Sequence, residues 1–138
     1  EPWRFIQVGP KTVQKFAKLH RKIMLGMETS EGQSSVVDWT AIPGWCVVTT
    51  KRSDDPEVEL EDFKATSCAI QNFMLYLWKA GVGSKWTTGD ITRDERFFDI
   101  VGIDPEREFV AGLLWYGYPK ITPEQKRQGL DAVLSELP

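Results

Sequence analysis

The segment EFVAGLLWYGY, residues 108–118, is the strongest strand candidate in the chain. It is rich in aromatic and aliphatic residues and carries no charge after Glu108. A continuous apolar run of this kind is typical of a strand that is buried on both faces, whereas a strand with one wet face alternates apolar and polar residues. We therefore predict a doubly buried strand over 108–118 and place the other elements relative to it.

Two shorter segments on the N-terminal side also have strand character. PWRFIQV (2–8) is rich in aromatic and β-branched residues, and WCVVTT (45–50) is predicted to be a buried strand. Between them, KTVQKFAKLHRKIMLGM (11–27) has apolar residues at roughly helical spacing, which predicts a helix opened by Pro10. The polar, turn-rich stretch 28–44 is predicted to be a loop.

Three further helices are predicted after the second strand. The longest covers 59–80, where apolar residues recur at the helical period and Gly81 provides the C-terminal cap. Thr92 and Glu95 have the spacing of a capping box and predict a short helix. A second capping box, with proline at the first helical position, predicts a final helix over 122–137.

Strands and helices therefore alternate, which predicts an α/β sandwich with helices packed against one sheet. No internal repeat or linker divides the sequence, so we expect a single domain over 1–138. The first residue is Glu1 rather than methionine, and the chain has strand character by Trp3. We expect from this that the sequence begins inside a domain.

The amino-acid composition argues against some classes of function. The 138 residues are 41% hydrophobic and 27% charged, as in soluble globular proteins, and the net charge of −3 argues against a nucleic-acid partner. No apolar stretch approaches the length of a membrane span. Cys46 and Cys68 each lie in an apolar run and are predicted to be buried free thiols in a reducing compartment, which we take to be the cytoplasm.

The usual catalytic residue types are scarce. His20 is the only histidine, and its lysine and arginine neighbours predict a solvated surface position. One histidine and two separated cysteines give no metal site and no Cys-His nucleophile pair. Ser67 and Ser84 have no histidine nearby in sequence to act as base. We therefore predict neither a metal ion nor a catalytic acid, base or nucleophile from the chain.

The loop AGVGSKWTTGD (80–90) is the best candidate for a ligand site. Its glycines allow close backbone approach, and Lys85, Thr87 and Thr88 offer donors to an anion. The same residues would also serve as a helix cap followed by an edge strand. The residues by themselves leave both interpretations open.

Three stretches in order, EPWRFIQV (1–8), ATSCAIQNFMLYLWKAGVGSKWTTGD (65–90) and FFDIVGIDPEREFVAGLLWYGYP (97–119), resemble the flavin-dependent nitroreductase family, especially its compact single-domain members. The closing KRQGLDAVLSEL (126–137) is similar to the family's terminal helix. The resemblance implies an α+β fold with a central mixed or antiparallel sheet flanked by helices. It also implies an intertwined homodimer with FMN at the subunit interface.

The resemblance assigns cofactor-binding positions residue by residue. The Trp-x-Ser/Thr element of the family contacts FMN, which implies roles for Trp86, Thr87 and Thr88. Arg127 matches a basic position that approaches the FMN phosphate, while Gln125 stands where lysine is common. The family's arginine-rich N-terminal helix has no counterpart in this sequence, so we expect an N-terminal helix region to be missing.

The implied activity is a ping-pong reaction. NAD(P)H would transfer a hydride to flavin N5, and a nitroaromatic, quinone or similar small-molecule acceptor would then take the electrons. Two alternatives stay open on the same scaffold. One is a flavin-free or flavin-storing relative that acts as a dimerising or binding module without turnover, and the other is specialised flavin chemistry such as dehalogenation or flavin destruction.

Overall fold

Strand β4 (Glu108–Gly117) is the central element of the computed structural model, which describes residues 1–26 and 37–137. It pairs antiparallel with β2 (Gly44–Lys51) on one edge and with β3 (Gly83–Thr87) on the other. Strand β1 (Trp3–Gln7) completes the order β1-β2-β4-β3 by pairing antiparallel with β2. The predicted α+β fold with a central sheet is confirmed, and the sheet is antiparallel throughout.

Both predicted buried strands are confirmed. Residues 111–114 of β4 and 45–50 of β2 are buried, because these two strands lie inside the sheet and their faces are covered by helices. The ends of β4 are only partly buried, so its double burial is limited to the middle.

Three α-helices cover the sheet: α1 (Pro10–Gly26), α2 (Pro56–Lys79) and α3 (Glu95–Val101). Helices α1 and α3 pack on one face around Phe16 and Phe97, which are fully buried. Helix α2 packs on the other face around Ile70, which is also fully buried. The molecule is therefore a sheet with two separate apolar layers, one on each side. None of the described helices is long and apolar enough to cross a membrane.

Helix starts differ from the prediction for reasons of capping. Helix α2 begins three residues earlier than predicted, since Asp55 caps it and Pro56 occupies its first position, where a missing N–H costs nothing. Helix α3 is capped by Asp94 instead of Thr92. The Thr92 hydroxyl donates to the Gly89 carbonyl at 2.8 Å and belongs to a preceding 3-10 turn, Asp90–Arg93.

The predicted final helix over 122–137 is wrong. The structure has only a 3-10 turn there, Leu130–Ala132, and the side chains of this segment are exposed. An isolated helix of this length is marginal in water, and a capping box adds only about 1 kcal/mol. Without an apolar surface of its own chain to pack against, the capping signal does not produce a helix.

Two smaller predictions also change. Cys46 is buried as predicted, but Cys68 lies on the outward side of α2 and is exposed. The predicted loop at 28–44 contains a 3-10 turn, Trp39–Ala41, and gives its last residue to β2. Residues 28–36 of that loop lie outside the described residues.

Candidate functional site

Strand β3 divides the predicted cofactor residues between the two faces of the sheet. Successive side chains of a strand point to opposite faces. Thr87 accordingly lies on the α1 face, whereas Trp86 packs into the apolar layer under α2. Thr88, just after the strand, is exposed.

The first of two cavities beside β3 lies between α1 and β3, and we call it the α1–β3 pocket. Its volume is about 480 Å³, within the range of small-molecule sites. Thr87 and Lys85 line it from β3, His20 from α1, and Trp39 and Trp115 from its base. It therefore combines aromatic walls with donor-bearing side chains, among them Lys85 and Thr87.

The aromatic walls of the α1–β3 pocket form a connected cluster. The His20 ring stacks on Trp39, with ring centroids 4.2 Å apart and planes at 27°. Trp39 meets Trp115 edge-on at 5.7 Å, and Lys85 Nζ lies 5.2 Å from the centre of the Trp115 ring. This cluster gives a rigid, apolar surface with a cation at its margin.

The prediction that His20 is a solvated surface residue is wrong, since its ring is partly buried against Trp39. Burial lowers its pKa, because the protonated ring is harder to desolvate than the neutral one. The signal was present in the sequence: His20 follows the buried Phe16 by four residues and precedes Met24 by four. Its position therefore falls on the packed side of α1.

The second cavity, which we call the C-terminal groove, has a volume of about 750 Å³. Arg127 and Gln125 line it from the C-terminal segment, and Ser84 lines it from β3. Lys85 and Trp115 line this groove as well as the α1–β3 pocket, so the two cavities adjoin across these side chains.

The structure thus brings together only part of the predicted site. Thr87 lines the α1–β3 pocket and Arg127 lines the C-terminal groove, while Trp86 and Thr88 line neither cavity. Thr87 is partly buried at the edge of the α1–β3 pocket and Thr88 is exposed, so a ligand can reach both residues.

Sequence reasoning missed Trp39 and Trp115, because neither the turn-rich stretch around Trp39 nor the apolar run around Trp115 shows whether a tryptophan lines a core or a cavity.

One polar atom at the shared wall lacks a partner. The Trp115 Nε1 atom is buried and meets no acceptor among the described residues, although buried indole N–H groups ordinarily find one. Trp45 Nε1, in the apolar layer of the α1 face, is also buried without a hydrogen-bond partner.

Other reactive groups are poorly placed for chemistry. Burial raises the pKa of the Cys46 thiol to about 11, so it stays protonated and is a poor nucleophile at neutral pH. Within 1–26 and 37–137, no three histidine, cysteine or acidic side chains are grouped as metal ligands.

Comparison with known sequences gives two findings. A sequence model of the nitroreductase family matches residues 1–118. YfhC of Bacillus subtilis, a protein named as an NAD(P)H nitroreductase, is 31% identical over 133 residues, which covers 93% of this chain and 68% of YfhC.

Solved structures show the same fold. A nitroreductase-like family protein from Bacillus cereus superimposes with a TM-score of 0.76 at 22% identity, over 99% of this chain and 73% of that one. A nitroreductase from Bacteroides fragilis, solved with bound FMN, has a TM-score of 0.74 at 16% identity, over 99% of this chain and 76% of that one.

The buried position of His20 predicts a pH dependence of stability. A folded-state pKa below the ordinary 6.5 means that the unfolded chain binds the proton more readily, so stability falls as pH drops through 6.5. His20→Phe keeps an aromatic ring on Trp39 but cannot be protonated. We expect the melting temperature to fall less in this variant than in the wild type between about pH 7.5 and about pH 5.5. Equal falls would show that His20 does not titrate differently on folding.

Proposed function

Because the chain belongs to the nitroreductase family, we propose that it is an FMN-dependent oxidoreductase that uses NAD(P)H as reductant. The observation that carries the proposal is the adjoining pair of cavities beside β3. One holds Thr87 among aromatic rings, the other holds Arg127, and Lys85 lines both. A planar ring system and a phosphate group need such surroundings.

The residues present fit FMN on three counts. The aromatic walls of the α1–β3 pocket suit the planar isoalloxazine ring system. Thr87 lines the α1–β3 pocket and Thr88 is exposed, so both are open to a ligand. Arg127 is exposed and can bind a phosphate in a bidentate manner.

We assign the cofactor contacts to four positions. Thr87 and Thr88 would hold the ring system, Arg127 would hold the phosphate, and Trp86 would support the ring-binding segment. When bound, FMN would supply hydride transfer from NAD(P)H at N5 and electron delivery to a nitroaromatic, quinone or similar acceptor. The aromatic walls of the α1–β3 pocket suit a planar acceptor, and they would exclude water from it.

No side chain of this chain is proposed as a catalytic acid, base or nucleophile. His20 is neutral near pH 7 because burial lowers its pKa, and the Cys46 thiol is protonated. The protein's part would be to bind, orient and desolvate the reactants, as flavin-dependent hydride transfer requires.

We also propose that the protein is a homodimer with the flavin at the subunit interface. The C-terminal half of α2 exposes large apolar side chains: Leu75 is 55% exposed, Tyr76 73% and Trp78 56%. Trp78 also lines the C-terminal groove, so a partner that covers this surface would close the groove that holds Arg127.

The visible spectrum of the purified full-length protein tests the proposed cofactor. We expect flavin bands that bleach when NADPH or NADH is added without oxygen, and that return when a quinone is supplied. Bands that appear with added FMN but do not bleach would favour the flavin-storing alternative. A colourless protein that takes up no FMN would contradict the proposed function.

Comparison of FMN with riboflavin tests the assigned contacts, since the two differ only in the phosphate. Arg127→Ala should weaken FMN binding by about tenfold, the usual cost of a lost charge-assisted hydrogen bond, and leave riboflavin binding unchanged. Thr88→Ala should weaken both ligands alike. Titration of flavin fluorescence measures each Kd.

The control for Thr88→Ala is Thr12→Ala, which removes the same atoms from a residue of α1 that lines neither cavity. We expect wild-type affinity for both flavins in this variant. An Arg127→Ala variant that loses riboflavin and FMN equally would contradict the phosphate assignment.

A charge on the exposed face of α2 tests the dimer. Tyr76→Glu, at a position that lines neither cavity, should convert the protein to a monomer in sedimentation velocity runs and weaken FMN binding at the same time, since the interface would complete the site. Gln14→Glu adds the same charge to an exposed position of α1 and should leave the dimer intact. A wild-type protein that sediments as a monomer at all concentrations would contradict the proposal.

A further inference from the structure

The indole of Trp86 is fixed against strand β4. Its Nε1 donates to the Ala111 carbonyl at 3.1 Å, and its ring packs in the α2-face layer. A Cβ atom added to Gly112 would lie 2.0 Å from this nitrogen and 2.5 Å from Trp86 Cδ1, closer than any real contact. Only glycine at position 112 therefore leaves room for the indole.

This contact is formed where β4 departs from regular pairing. The register of β2 against β4 pairs Val48 with Gly112 and Thr49 with Val110, so Ala111 is an additional residue in β4. A bulge of this kind bends the strand and re-aims the backbone locally. The Trp86 N–H supplies a donor to the carbonyl of the bulged residue, which ties β3 to β4 at this point.

The segment after Trp86 is held at its far end as well. The Thr92 backbone N–H and hydroxyl both donate to the Gly89 carbonyl, at 2.9 and 2.8 Å. Thr87 and Thr88 therefore lie between two fixed points. A Cβ atom on Gly112 would also come within 3.1 Å of the Thr87 carbonyl, so β4 limits the backbone of Thr87 directly.

Side chains alternate between the two faces of the sheet along β3, so the position of Trp86 determines the direction of Thr87. Trp86 is anchored on the α2 face, so the next side chain, Thr87, is directed into the α1–β3 pocket. We propose that Trp86 is a positioning residue for the flavin site: it acts through Gly112 and the Ala111 carbonyl to hold Thr87 and Thr88 in place. This inference rests on the proposed function and assigns no hydrogen bond from the indole to the cofactor, because its N–H is already used.

The first test distinguishes the contribution of the Trp86 N–H group from that of its aromatic ring. Trp86→Phe keeps an aromatic ring but removes the donor, and we expect it to weaken FMN binding by about tenfold. Because a loosened segment no longer fixes the flavin surroundings, the visible circular dichroism of the bound FMN should also change. Ile70→Val, in the same apolar layer, is the control, and it should lower stability towards urea without altering either flavin signal.

A double-mutant cycle tests the pairing with Gly112. Gly112→Ala should weaken FMN binding strongly in the wild type, since the added methyl group displaces the indole. In a Trp86→Ala background the same substitution should have a much smaller further effect, because the space of the indole is vacant and only the 3.1 Å approach to the Thr87 carbonyl remains. Such non-additivity would assign the effect to this pair of residues.

The failing outcomes are distinct. A wild-type protein that binds FMN with the same Kd and spectrum as Trp86→Phe would overturn the positioning role and leave the proposed function standing. The role is also overturned if Ile70→Val changes the flavin signals as much as Trp86→Phe does. A wild-type protein that binds no FMN would overturn both.

Discussion

The structure depends on one strand, β4, whose middle is buried on both faces of the sheet. Strand β4 is hydrogen-bonded along both edges and is covered by helices on both faces. In such a position every backbone group must find a partner and every side chain must fit a packed layer, so the strand tolerates little change. The exceptions are therefore informative: the bulge at Ala111, the glycine that follows it, and the unpartnered N–H of Trp115 all lie on β4.

The two faces of the sheet have different chemistry. The α1 face is packed with stacked and edge-on rings, and it leaves a cavity where Lys85 and Thr87 meet that cluster. The α2 face is a thinner apolar layer, and the outward side of α2 exposes large apolar residues at its C-terminal half. One face is thus organised around a ligand-sized space, and the other presents a surface that a second subunit could cover.

Much of the fold could be predicted because it follows from local patterns. The apolar runs 45–50 and 108–118 identify the two inner strands, and helical spacing locates α1 and α2. The prediction of a final helix was wrong because helices of this length are stabilised mainly by packing of an apolar face. The side chains of 122–137 are exposed in the described chain, so this stabilisation is missing. The capping signal of Thr122 is a local preference that is too weak to act alone.

The candidate site was harder to predict, since it depends on contacts between distant segments. The family resemblance pointed to Trp86, Thr87, Thr88 and Arg127, but it gave no sign that Thr87 and Arg127 line different cavities while Trp86 and Thr88 line neither. His20, Trp39 and Trp115 come from three separate elements, and only the folded sheet brings their rings together. The four-residue spacing between Phe16 and His20 was the one sign that His20 is partly buried. The charged neighbours of His20 favoured the opposite interpretation.

The candidate site and the core share strand β3, so a substitution in the core can also affect the site. On β3, the side chain that anchors the strand and the side chain that faces the pocket are neighbours in sequence. Any substitution that loosens the anchor must therefore act on the pocket, even though the two lie on opposite faces of the sheet. A substitution in the α1 or α2 layer that leaves this anchor in place should act on stability alone, because the register of β3 against β4 is unchanged. The proposed flavin site would then depend less on the residues that would touch the cofactor than on Gly112 and the bulge at Ala111, which limit where β3 can lie.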